Sequence, residues 1–145
     1  MISIIAIGSL AVEAVKKLDK INYEIISLPN EINDECIKTM ANEHVVIVSD
    51  ILEASNEALV SLIKSLKEKG KTVDVILENL SESLKNEISS VGETTISNIR
   101  AIASSTKIVS SERVYQVIDK SMELREYVQV LEDYLFVEIT RKLRM

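Results

Sequence analysis

Apolar positions fall in short, dense runs that alternate with stretches of helical spacing along most of the chain. Ile2–Ile7 is a β-rich run, after which Leu10, Ala14, Val15 and Leu18 recur at helical intervals, with Ser9 placed as their N-cap. Tyr23–Leu28 reads as a second strand closed by Pro29-Asn30, and Asn33 is placed to cap a short helix through Ile37, Met40 and Ala41. Val45–Val48 is a third strand, apolar on both faces as parallel strands between helix layers are. Leu59, Leu62, Ile63 and Leu66 then form one helical stripe, with Ser55 positioned to cap its start and Gly70 to end it. Val73–Leu77 is a fourth strand. Weaker helical signals around Leu84, Ile88, Ile96 and Ile99 are expected to break into two pieces at Gly92, ahead of a short fifth strand at Lys107–Val109. From Glu112 onward there is no glycine or proline, and Val114, Val117, Ile118, Val128, Leu131, Leu135 and Ile139 predict one long helix or two joined ones. The alternation predicts a single α/β domain over residues 1–145, a parallel sheet with helices on both faces.

Composition narrows the partners. The net charge of −6, with only four tyrosines and one phenylalanine, argues against nucleic acid, whose phosphates require clustered Lys and Arg. It argues equally against docking on an anionic membrane surface. Cys36 is the sole cysteine, so an internal disulfide and a cysteine metal site are both excluded, and a cytoplasmic setting is expected. The apolar stretch Ile2–Val12 lacks preceding basic residues and runs into Glu13, Lys16 and Lys17 at helical spacing, so it reads as a core strand entering a helix rather than a signal peptide. No apolar run approaches the ~18 residues that a membrane span requires.

The third strand, its loop and the helix after it (Glu43–Leu59) form the kind of unit that commonly grips a nucleotide phosphate. Such a loop aims several backbone N–H groups at one anion and needs bare backbone with positive φ to do so. The whole chain holds only three glycines, and this stretch carries Ile51, Leu52, Glu53 and Glu57 instead.

In element order and spacing the chain resembles the nucleotide-binding half of the FtsZ/tubulin family, a Rossmann-like fold. Three stretches carry the resemblance. Ile4-Ile5-Ala6-Ile7-Gly8-Ser9-Leu10-Ala11-Val12-Glu13-Ala14-Val15 is similar to the family's opening strand and first glycine-rich loop, shortened, with Gly8 alone retained and Glu13 in place of an asparagine. Glu43–Gly70 is similar in length to the strand, G-G-G-T-G-[ST]-G loop and helix of the family, without any of the signature glycines. Ile99–Tyr115 resembles the segment L-R-x-x-x-D-T-L-I-V-I-P-N-D-R-L-L, and the match continues to Glu132-Asp133-Tyr134-Leu135, similar to the start of D-D-V-L on the family's central helix.

The resemblance implies a Rossmann-like three-layer sandwich with a mainly parallel sheet and a long C-terminal helix. It implies guanine recognition by Asp133, with Ser111 at the place of a base-contacting asparagine and Val128 at that of a stacking phenylalanine. Any retained phosphate contact would come from Gly8 and Ser9 or from Ser55 and Asn56, near helix N-termini. Glu13, Glu53 and Glu57 oppose an anion there. The chain stops at Met145, inside the implied central helix, so the family's catalytic loop and second domain are not in this sequence and GTPase activity is expected to be absent. No cofactor is expected; GTP or GDP is the alternative.

Other constellations are weaker. His44, the only histidine, sits at a strand start beside Glu43, where a structural role is expected. No His/Cys/Asp spacing supports a metal, and no second histidine or G-x-S-x-G elbow supports a nucleophile. Val45–Leu52 also resembles the phospho-acceptor strand of a response-regulator receiver, with Asp50 as acceptor, but Ile7 and Gly8 stand where a receiver's acidic pair belongs. Finally, Tyr115, Tyr127, Tyr134, Phe136 and Val137 make the last helix apolar around much of its girth. The expectation is an uncovered face that pairs with a second copy or with an FtsZ/tubulin-like partner.

Overall fold

A computed structural model describes residues 1–28, 40–50, 56–78, 90–109 and 122–144. Strands β1 (Ile2–Ile7), β2 (Tyr23–Leu28), β3 (His44–Asp50), β4 (Thr72–Glu78) and β5 (Ser105–Val109) form one sheet in the order β2-β1-β3-β4-β5. Every pairing is parallel. The helices are α1 (Ser9–Val15), α2 (Asn56–Glu68), α3 (Ser90–Ile102) and α4 (Leu124–Leu143).

The period of two in each strand sorts the core into two layers. Ile4, Ala6, Val46, Val48, Ile76 and Val109 face α1 and α4, whereas Ile5, Ile7, Val45, Ile47, Val75 and Leu77 face α2 and α3. The result is an α/β three-layer sandwich, Rossmann-like, with β1, β3 and β4 apolar on both sides because helices cover both sides.

Helix α2 forms as its stripe predicts. Leu59, Leu62, Ile63 and Leu66 are all fully buried, and each contributes roughly 1.5–3 kcal/mol by leaving water. Its end is set by Gly70, at φ 79°. The N–H of Gly70 donates to the carbonyl of Lys67 at 3.0 Å and that of Lys71 to Leu66 at 3.2 Å. This reverse pair satisfies carbonyls that the helix end leaves open.

Two sequence expectations are corrected. Ser9 is the first residue of α1, not its cap; Gly8 holds the cap position at φ 95° and ψ 157°, backbone that a side chain strongly disfavours. Gly92 does not break α3, which runs through it from Ser90 to Ile102. It falls in the first turn, where N–H groups have no intrahelical acceptor in any case, and burial of Ile99 against the sheet holds the helix. Pro29-Asn30, the helix from Asn33 through Ile37, the cap Ser55, Leu84, Ile88, Val114, Val117 and Ile118 lie outside the described residues.

Candidate functional site at the carboxyl edge of the sheet

In doubly wound sheets ligands enter the crevice at the carboxyl ends of the strands, where the strand order reverses. Here that point lies between β1 and β3, with Gly8 and Ser9 on one wall and Ser49 and Asp50 on the other. The Gly8 N–H donates to the carbonyl of Leu28 at 3.1 Å, and its carbonyl accepts the Val12 N–H at 3.0 Å. The remaining first-turn donors of α1 are the N–H groups of Ser9, Leu10 and Ala11.

The ends of β3 and β4 lie opposite. Asp50 and Glu78 are register partners at the ends of β3 and β4, and the Glu78 side chain is fully buried. Exposed Glu57 adds a further carboxylate in the first turn of α2. An anion at the crevice would meet the Glu57 carboxylate, and the sequence between β3 and α2 holds no glycine to build a cradle.

Asp133 stands elsewhere. It lies on the exposed side of α4, where its carboxylate takes hydrogen bonds from the Lys17 ammonium and, at 3.0 Å, from Gln129. The Lys17 bond is the main reason its carboxyl is held below the usual range. Lys17 follows the far end of α1, about 12 Å of helical rise from Ser9. The structure therefore does not bring Asp133 and the Gly8–Ser9 turn into contact; Lys17 uses Asp133 to tie α1 to α4. Asn56 is the first residue of α2, while Ser55, Ser111 and Tyr115 lie outside the described residues.

The aromatic positions of α4 divide. Tyr127 and Tyr134 pack partly buried against the core layer under α1. Phe136 is half-buried with the Lys17 ammonium 5.9 Å from its ring centre, a cation–π distance. Val137 is 46% exposed and Leu124 68% exposed. Of the expected positions that are described, Val137 is exposed and Phe136 half-buried.

Sequence reasoning missed a polar cluster at the amino edge. Asp74 of β4 accepts the Ser105 hydroxyl at 2.5 Å on Oδ1, and its Oδ2 lies 2.6 Å from His44 Nε2. Lys142, in the last turn of α4, donates to Ser105 Oγ at 2.9 Å. Serine and histidine both bond to the carboxylate, so this is not a nucleophile–base–acid relay, which needs the histidine between the other two. It is a clasp between the sheet and the end of α4. A second clasp is Glu138, buried on α4, paired with Lys107 of β5 at 2.6 Å and Arg141 at 3.2 Å. The signal for the first existed in sequence, since His44 and Asp74 each sit near the start of a strand.

Among the described residues no group of His, Cys, Asp or Glu is arranged to hold a metal ion, and no helix is long and apolar enough to cross a membrane. No family model matches the chain, and no curated protein matches it.

Proposed function

We propose that this chain is a non-catalytic FtsZ/tubulin-like module that acts through protein–protein association, with a second copy or an FtsZ/tubulin-like protein as partner. The observation that carries the reading is a carboxylate at the mouth of the crevice. Exposed Glu57 stands in the first turn of α2, where a nucleotide-binding relative would turn bare backbone to phosphate. Support for association comes from the outer side of α4, where Val137 stays exposed beside half-buried Phe136. Light scattering over a concentration series tests it: mass should rise above that of one chain, and substituting Val137 with glutamate reports whether α4 takes part. A single-chain mass throughout, together with no capture by an FtsZ/tubulin-like protein, removes the reading.

Binding of GTP or GDP without efficient hydrolysis is the second reading. It is favoured by the exposure of Asp133, whose side chain is 57% accessible. A degenerate receiver is the third, favoured by Asp50 at the end of β3 in a sheet of order 2-1-3-4-5, the order of flavodoxin-like folds. Against it, Ile7-Gly8 ends β1, and Lys107, the lysine of β5, is bonded to Glu138. Labelling of Asp50 by an acyl phosphate would separate this reading from the first.

A further inference from the structure

Among the described residues the outer edge of β2 is unpaired, and the strand has the composition of an interior one. Its sequence Tyr-Glu-Ile-Ile-Ser-Leu is apolar on both faces, with Tyr23 and Ile25 packing on one core layer and Ile26 and Leu28 on the other, all only partly buried. The corresponding residues Ile4 and Ile5 of β1 are fully buried. Natural edge strands are usually guarded by lysine, proline or a bulge. β2 carries a single charge, Glu24, and that carboxylate is tied down by the Ser3 hydroxyl at 2.8 Å.

The hydrogen-bonding side of each β2 residue follows from one contact. In a strand the N–H and C=O of a residue point to the same side, and successive residues alternate. The carbonyl of Leu28 accepts the Gly8 N–H at 3.1 Å, on the β1 side. Tyr23, Ile25 and Ser27 therefore turn their backbone groups outward, and among the described residues β2 pairs with β1 alone. On the α1 side the same three residues floor a cavity of about 410 Å³, walled by Val15, Lys16 and Lys20.

We propose that β2 pairs antiparallel with β2 of a second copy, about a two-fold axis through Ile25, to make a continuous ten-stranded sheet. This deepens the association reading and rests on it. A two-fold axis normal to the sheet requires each residue to face one on the same side of the sheet. With Ile25 opposite Ile25 of the second copy, Tyr23 faces Ser27 and Glu24 faces Ile26. Each large Tyr23 ring then lies opposite the small, exposed Ser27 of the other copy, at the rim of the cavity. All outward N–H and C=O groups of Tyr23, Ile25 and Ser27 find partners, and no like charges are opposed. The other edge does not serve as well: β5 paired with itself over its full length sets Lys107 against Lys107.

Ser27 supplies the test, because its side chain is exposed and its N–H points away from β1. Proline there keeps the β1 ladder and removes an intermolecular donor from each copy. Sedimentation velocity should give the wild type a mass approaching twice 16.2 kDa at high concentration. Ser27→Pro should weaken the dimer about ten-fold or more, and Ser27→Ala should leave it unchanged. Circular dichroism confirms that each variant is folded. If Ser27→Pro does not fold, Tyr23→Ala, which removes the ring opposite Ser27 but keeps the backbone donors, takes its place with the same expected weakening. A dimer indifferent to these variants but lost on Val137→Glu overturns this interface and leaves association standing. A wild type that remains a single chain at every concentration overturns the interface outright.

Discussion

Replacing Asp74 with asparagine removes one charge from the junction of β3, β4, β5 and the last turn of α4. The carboxylate is 12% exposed, takes hydrogen bonds at 2.5 Å and 2.6 Å, and has the Lys142 ammonium 4.0 Å away. Asparagine keeps the shape but turns one acceptor oxygen into an N–H donor, so both bonds lose their charge assistance. A hydrogen bond to a charged group contributes about 1.5–3 kcal/mol and a neutral one about 1 kcal/mol. His44 is 39% exposed and can turn to water, which places the expected loss near the low end, about 2 kcal/mol. In a domain of 145 residues that lowers Tm by about 7 °C. Burial pushes the Asp74 carboxyl up, but the hydrogen bonds from Ser105 and His44 and the charge of Lys142 outweigh it, leaving the carboxyl below its ordinary value of 3.8. A carboxyl lowered on folding contributes its stability above the unfolded pKa and loses it as pH falls through the folded one. The gap between wild type and variant should therefore be full at neutral pH and close progressively as pH drops below 3.8. Urea unfolding followed by far-ultraviolet circular dichroism across this range measures it. A variant within about 0.5 kcal/mol of wild type at neutral pH, or a gap that persists in acid, refutes the reasoning.

Lys107→Met leaves buried Glu138 with Arg141 alone and should cost about 1–3 kcal/mol, the lower part applying because Lys107 is 38% exposed. Adding Glu138→Leu should recover most of that loss, since an apolar pair replaces an ion pair at little cost; urea titration of the two variants checks both numbers. Gly70→Ala should destabilise by about 1 kcal/mol through its φ of 79° alone, because an added Cβ meets nothing within 4 Å. A thermal shift of zero for that variant would contradict the helix-end geometry.

The strands were legible because burial on both faces writes itself as an unbroken apolar run; Val45–Val48 needed only its polar ends, His44, Ser49 and Asp50, added. Helix α2 was legible because its stripe and its terminal glycine agree. The start of α1 was not, since a serine and a glycine side by side are both plausible caps and only backbone geometry separates them. The clasps were hidden for a different reason. Glu138, Lys107 and Lys142 look like solvated charges in one dimension, and only the path of α4 across β5 brings them together. The β3 side of the crevice was readable in part from missing glycines, but the pairing of Asp50 with Glu78 came from register. The Lys17 partner of Asp133 was not legible either, because only the packing of α1 on α4 brings the two together.

Calorimetric titration of the purified chain with GTP and GDP, with magnesium present, bears most directly on the central claim. The account predicts no binding tighter than about 10 μM, equivalent to roughly 7 kcal/mol. Tighter binding that disappears on Asp133→Ala would show a retained nucleotide site at α4 and contradict it.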